Sequence, residues 1–575
     1  MSHTRQNIRR SKGLFRGQRS LYCILKIRVT SRAIVSFSDP RLFMSTSNAV
    51  LPPPLRAFAP YFLLVLIVFV FYGNIYGNAF LYDDQHLVVY NQYLQSWDKI
   101  GAIFSHNIMS GAGLQSSFYR PIQIFLYLLV YQFCGSSPFG FHFLNIVLHA
   151  ANTCLLYTLG RKLKFKPEAV LFAALAWGVH PMHTEAVTYI SGTADLLHVL
   201  FCMLGLLVLV PAFKPRNIGL ACFFFVLALL SKEAALVFPG LATLCLFLIS
   251  EHRKDPKTYI PLWPLWLIAI LYGAAHAITS GFGLFDPNLK MNASMQPYAT
   301  HFLFRLYTSL AALPTYLKIL MWPTELHMDR SVTIYKDFWN IEVITGGLII
   351  ATALSQVFWN KTKDCLPLSW GLLWWGIAYS PQAGLALPML TTIREHWMYL
   401  PSMGLFLGSA QSAALLLEKR TQFRSQRYGI SLCAAGIIMA LDMMTYNQNQ
   451  IWQSPITLYS DSLKYDHSPL MLSNLGNAYI MNNEFDKAST VLHQAITIDD
   501  IYPETHMNLA YIDLLTPGQT NTEKAITEIK RALEIDPDFL PAVDLLVNIY
   551  EKTGNTEQAA TYKIQSEKIR HQLMQ

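Results

Sequence analysis

The sequence predicts an all-α protein: a membrane bundle of about eleven spans, then a soluble array of short helices. Three observations predict it. Of 575 residues, 53% are hydrophobic and only 14% charged, where soluble domains carry about a quarter charged residues. Apolar runs near the roughly 20 residues that cross a bilayer recur from residue 57 to residue 446. Beyond residue 467 the pattern changes to amphipathic helices with small residues recurring at a spacing of 34. This composition excludes a soluble globular enzyme.

Residues 1–56 read as a basic disordered tail. They are rich in Arg and Ser, like a transit peptide, but a multispanning apolar body normally inserts co-translationally. The run from Leu51 to Pro54 closes the tail, since consecutive prolines cannot be helical. Spans are expected at 57–77, 138–160, 168–182, 194–211, 217–231, 234–250, 259–280, 340–359, 366–388, 398–417 and 428–446. The stretches 120–133 and 302–322 carry Arg120, Pro121, Arg305, Pro314 and Lys318, and read as interfacial helices. The net charge of +8 matters through its placement, not as a nucleic-acid surface. With the N-terminus in the cytosol, Arg161 to Lys166, Lys214 with Arg216, Arg253 to Lys257, Lys361 with Lys363, and Lys419 to Arg427 all become cytosolic, as the positive-inside bias requires. The other side, in a eukaryote the lumen of the endoplasmic reticulum, then receives the loop 78–137 and the C-terminal array. Asn292, in Asn-Ala-Ser, becomes a lumenal glycosylation acceptor. Eight cysteines without a C-x-x-C suggest neither a disulfide framework nor a zinc knuckle.

Residues 447–467 read as a connecting helix and 468–575 as about three repeats. Gly476 and Ala510 are 34 apart, as are Pro503 and Pro537, while Ala488, Ala525 and Ala559 recur alongside. Small residues at helix crossings and proline at the repeat junction are the tetratricopeptide signature. Such arrays hold a peptide or chaperone partner in a groove, or serve as a rigid lid.

Polar groups collect at the ends of the spans. Asp83 and Asp84 follow the first span, where charge is costly unless it has a function; a carboxylate there can act as a general base. Arg120, Lys232, Arg394 and His396 are the candidate cations for a lipid phosphate. His142, His149, His180, His183, Glu185, Asp195, Glu233, Glu395 and Tyr399 complete a polar pocket. His180 and His183 are separated by Pro181 and are not in the His-Glu-x-x-His arrangement, so hydrogen bonding is preferred over metal binding.

The ordered set Tyr82-Asp-Asp84, Tyr119-Arg-Pro121, Phe141-His-Phe-Leu-Asn145 with His149, His180-Pro-Met-His-Thr-Glu-Ala-Val187, Ala194-Asp-Leu-Leu197, Ser231-Lys-Glu233 and Tyr399-Leu-Pro-Ser-Met-Gly404, ending in helical repeats, resembles the transmembrane and tetratricopeptide repeat-containing O-mannosyltransferases, of GT-C fold. The resemblance implies transfer of mannose from dolichyl-phosphate mannose to Ser or Thr hydroxyls of secretory or cell-surface proteins, cadherin-like domains among them. It implies an acid of the first lumenal loop as base, matching Asp83 or Asp84. The chain departs from the pattern at Thr193 and His396, where the family carries arginine.

The expected reaction is an inverting transfer through an oxocarbenium-like state, with fixed cations meeting the departing lipid phosphate. It calls for no metal and no cofactor, the lipid-linked sugar being a substrate. The alternatives are an inactive relative serving as a membrane-anchored adaptor, a relative using another polyprenyl-linked sugar, and a transporter or scaffold. A transporter is disfavoured by the lack of inverted repeats with broken helices.

Overall fold

Proline writes the helix starts of this protein. A computed structural model describes residues 53–114, 116–210, 214–252, 254–279, 296–330, 333–359, 362–386, 388–389, 391–420, 423–515 and 519–574. Pro121, Pro138, Pro167, Pro215, Pro367, Pro455 and Pro469 each occupy the first or second position of a helix, where the missing N–H costs nothing. Besides the short helices Ile100–Ser105, Thr184–Thr188 and Gln296–Thr300, the described helices are α1 (Pro53–Tyr72), α2 (Pro121–Cys134), α3 (Pro138–Lys162), α4 (Pro167–Gly178), α5 (Thr193–Leu209), α6 (Pro215–Leu229), α7 (Phe238–Ile249), α8 (Trp263–Thr279), α9 (Phe302–Met321), α10 (Ile341–Trp359), α11 (Leu366–Tyr379), α12 (Tyr399–Arg420), α13 (Arg424–Ile451) and α14 (Pro455–Ser462). Three consecutive pairs follow: α15 (Pro469–Met481) with α16 (Phe485–Ile498), α17 (Pro503–Leu515) with α18 (Gln519–Ile535), and α19 (Leu540–Lys552) with α20 (Thr556–Met574). Residues 1–52 of the basic tail and Asn292 lie outside the described residues; against expectation Pro53 and Pro54 are helical, opening α1 where a first turn tolerates proline.

The protein is a multi-pass membrane protein. Among the described residues, seven helical stretches are long and apolar enough to cross a bilayer: Ala57–Ile75, Pro138–Lys162, Ile190–Leu209, Pro256–His276, Ile341–Trp359, Glu395–Arg420 and Ser425–Ile451. Four of the eleven expected spans fall on helices shorter than these. The stretch 168–182 contracts to α4, 12 residues or about 18 Å of helix, because the chain leaves the helix at Gly178 ahead of Pro181. The stretch 217–231 keeps its length but shifts two residues earlier, to α6, 366–388 contracts to α11, and 234–250 becomes a short 3-10 turn leading into α7. The stretch 302–322, expected as an interfacial helix, is one continuous helix with Pro314 inside it. The expected connecting helix starts later, because α13 runs on to Ile451 before a turn leads into α14.

The bundle sorts its helices by burial. In Pro138–Lys162 and Ile190–Leu209, 61% and 72% of the most apolar stretch is buried, against 11% in Pro256–His276 and Ile341–Trp359. The inner helices α3 and α5 therefore carry the polar residues, where other helices cover them. Glycine permits close crossings: a Cβ on Gly346 of α10 would lie 1.9 Å from the Leu310 carbonyl oxygen of α9, and one on Gly408 of α12 2.4 Å from that of Pro367 of α11, the close approach that small residues allow between membrane helices.

Ala57–Gln575 forms one unit. Leu81 and the half-buried Tyr82 pack with Tyr189, Trp452, Leu458, Tyr459, Met471 and Leu475. The loop after the first span and the first C-terminal helix pair therefore touch, on the same side of the bundle. Within that pair Gly476 faces Leu492, whose side chain leaves no room for a Cβ, 2.5 Å away. Ala510, Ala525 and Ala532 are fully buried in the later pairs.

Candidate active site

The two aspartates have different surroundings. Asp84 is buried, and its two oxygens accept the main-chain N–H groups of Leu81 at 3.0 Å and Ser191 at 2.9 Å. It pins the turn after the first span to the entry of α5. Burial holds its carboxyl well above the usual range, against the pull of those amides. Tyr82, just before the pair, has φ 43, a left-handed conformation costly for a bulky side chain. That turn presents Asp83 outward. Its carboxylate lines a cavity of about 350 Å³ between this loop and α15. Burial pushes the Asp83 carboxyl up, while a hydrogen bond with Tyr189 and the charges of His86, Arg120 and Arg394 pull it down. Asp83 is thus within the electrostatic reach of two of the candidate cations.

Each candidate cation has an acidic partner. Arg120 forms a two-point pair with Glu233, at 2.7 and 3.2 Å, and its guanidinium lies over the Phe118 ring. Lys232 meets Asp195 at 2.7 Å with both side chains almost fully buried. His396 grips Glu185 twice, through Nδ1 at 2.9 Å and through its main-chain N–H at 2.9 Å. Burial pushes the Glu185 carboxyl up, but His396 and Arg394 carry it below its ordinary value. Arg394 donates to the Met328 carbonyl and to Asp329 at 3.2 Å. Asp329 in turn accepts the Ser468 hydroxyl at 2.8 Å, and Ser468 caps α15. A continuous band of paired charge thus runs from Arg120 to the first C-terminal helix.

Sequence reasoning missed two members of this band. Arg330 meets Glu395 at 2.8 Å, and Asp329 joins Arg394 to Ser468. Both come from the short polar connection after α9, which shares no spacing with the motifs and is brought in only by tertiary packing.

The histidines form a seam, not a ligand set. His142 Nε2 lies 3.2 Å from the Asn78 carbonyl. His149 bridges the Tyr399 hydroxyl and the Gly178 carbonyl, each at 2.7 Å. Asn145 donates to the Val187 and Tyr189 carbonyls at 3.1 Å, and Asn152 to that of Leu196 at 2.9 Å. One face of α3 therefore meets carbonyls left free near the ends of other segments, at Asn78, Gly178, Val187 and Tyr189, and one in the first turn of α5, at Leu196. His180 bonds the Leu320 carbonyl and the Met182 N–H. His183 is fully buried between Trp177 and Tyr399, with ring centroids 4.7 and 5.1 Å away, and its nitrogens meet no hydrogen-bonding partner among the described residues.

The two positions departing from the family pattern differ. Thr193 is fully buried; its hydroxyl donates to Asn145 at 2.5 Å and accepts from Tyr127 at 3.2 Å. His396 keeps 22% of its side chain exposed.

The family described as dolichyl-phosphate-mannose-protein mannosyltransferase matches residues 120–278. The chain is 26% identical to the Caenorhabditis elegans protein O-mannosyl-transferase F38B6.6, over 77% of this chain and 63% of that protein. It is 23% identical to human protein O-mannosyl-transferase TMTC3, over 83% of this chain and 55% of that protein. The chain thus spans little more than half the length of these relatives. Among solved structures, ArnT from Cupriavidus metallidurans bound to undecaprenyl phosphate is similar with a TM-score of 0.39 and 11% identity, over 84% of this chain and 81% of that one. Family match, relatives and ordered motifs agree in one direction: the chain is similar to the protein O-mannosyl-transferases.

Proposed function

We propose that this protein transfers mannose from dolichyl-phosphate mannose to Ser or Thr hydroxyls of secretory-pathway proteins, with inversion, and that Asp83 is the general base. The acceptor hydroxyl gives its proton to Asp83 as its oxygen bonds the anomeric carbon. The bond from that carbon to the phosphate oxygen breaks, and the lipid phosphate leaves with the electron pair. Arg120, Lys232, Arg394 and His396 meet that charge. The observation that carries this reading is the position of Asp83, facing an open cavity while Arg120 and Arg394 act on it from the charged band. Asp84 is a positioning residue. In this reading the short helices α4, α6, α7 and α11 complete an eleven-span GT-C bundle. The loop and the tetratricopeptide repeats face the lumen of the endoplasmic reticulum, and the lipid tail lies in a groove lined by α9. The contact of Leu81 with Trp452 and Met471 supports the common side.

The test is transfer of radiolabelled mannose from dolichyl-phosphate mannose by purified protein. Asp83→Asn abolishes transfer and leaves the melting temperature unchanged. Full activity of that variant overturns the assignment.

A second reading, a relative silent toward this donor and acting as an adaptor, draws on one observation: every candidate cation already holds a carboxylate. It predicts that the wild-type protein neither binds dolichyl-phosphate mannose nor transfers from it.

A further inference from the structure

We propose that the cavity between the Asp83 loop and α15 seats an extended acceptor peptide, held through its main chain by Asn474 and Asn477 and selected against acidic flanks by Asp83 and Glu504. This rests on the reading above for the reaction, and on the cavity itself for the binding.

The first support is stereochemical. An inverting displacement places nucleophile and leaving group on opposite faces of the anomeric carbon, with the base on the nucleophile's face. The cavity is lined by Asp83 but by none of Arg120, Lys232, Arg394 or His396. The phosphate side of Asp83 is the charged band, so the cavity side remains for the hydroxyl.

The second support is an unmet donor. The Asn474 Nδ2 atom is buried and has no hydrogen-bonding partner among the described residues, which is costly unless a ligand supplies one. Asn477, exposed, stands three residues further along α15, on the same face. A carboxamide donates and accepts at once, which matches the C=O and N–H of a peptide unit. The volume of about 350 Å³ falls within the range of small-ligand sites, enough for the hydroxyl residue and part of its neighbours, with the exposed rings of Tyr90 and the side chain of Met481 at the rim.

The third support is charge. Asp83 and Glu504 line the cavity and no Lys or Arg does. An acidic residue beside the acceptor hydroxyl meets like charge, whereas a neutral or basic one does not. The wall formed by α15 and by Glu504 at the start of α17 makes the helical pairs part of the acceptor site.

The test is fluorescence anisotropy of labelled Ser/Thr peptides on the full-length protein in detergent, without donor. Asn474→Ala with Asn477→Ala weakens binding about tenfold, as expected for one or two lost hydrogen bonds. Asn477→Ala alone, at an exposed position, weakens it in the same direction with an unchanged melting temperature. Lys-flanked peptides bind more tightly than Asp-flanked ones, and Glu504→Gln narrows that gap. Equal affinity of the double variant and the wild type overturns the seat. Asparagine-dependent peptide binding by a protein that transfers no mannose overturns the proposed reaction and leaves the seat standing. Mannose transfer with asparagine-independent binding overturns the seat alone.

Discussion

The Tyr189 hydroxyl accepts the main-chain N–H of Asp83 at 3.0 Å, tying the proposed base to the start of the short turn that leads into α5. The same phenol lowers the Asp83 carboxyl by hydrogen bonding. Tyr189→Phe removes both effects. The ionised carboxylate loses a stabilising donor, so it titrates at a higher pH. The acidic limb of the pH–rate profile moves to higher pH, and kcat/KM falls about tenfold. A profile identical to that of the wild type removes Tyr189 from the positioning of Asp83.

Restoring the two family arginines separates the two positions. Thr193→Arg forces a long cation into a fully buried site that holds Asn145 and Tyr127, and costs more than about 3 kcal/mol. His396→Arg has partial access to solvent and a carboxylate, Glu185, placed for a two-point pair; it costs less than about 1 kcal/mol. Thermal unfolding in detergent distinguishes them, and equal losses contradict the geometry.

Lys232 and Asp195 form a buried pair, and removing one partner leaves a charge without compensation. Asp195→Asn lowers stability by about 3–5 kcal/mol, while the double change Asp195→Leu with Lys232→Met lowers it by less. A double variant no more stable than the single one argues against charge as the cause.

His506 lies between Asp500 and Glu528, each at 2.6 Å. Burial pushes the imidazole down, but hydrogen bonds and charge from the two carboxylates more than offset it, so its pKa is raised. A raised folded-state pKa gives stability that is fully present below the unfolded value of about 6.5 and is lost as pH rises through the folded value. The second helix pair therefore resists proteolysis better at about pH 6 than at about pH 8. His506→Gln removes the difference; its persistence in that variant refutes the histidine's role.

The helical class, the acid pair and the cations at the ends of the helices were legible because each rests on local pattern: apolar runs, prolines at helix starts, charged residues where apolar runs stop. What stayed hidden depends on packing. Neighbouring aspartates look alike in sequence; only the turn at Tyr82 turns one toward main-chain amides and the other toward a cavity. Hydropathy does not show that a helix such as α4 stops after 12 residues when the residues beyond its end, Val179 and Met182, are equally buried. Arg330 finds Glu395 from 65 residues away, a pairing no periodicity encodes.

The side chains of α3 clasp three separate breaks in the surrounding chain, at Asn78, Gly178 and Val187–Tyr189, and reach the first turn of α5 at Leu196. That makes the helix a ruler with fixed graduations. A single residue inserted between Asn145 and Asn152 would rotate everything after it by about 100° and misalign several clasps together. Evolution can therefore exchange residues along this stretch one at a time, but it cannot lengthen or shorten it, whereas the surface connections are free to drift in length.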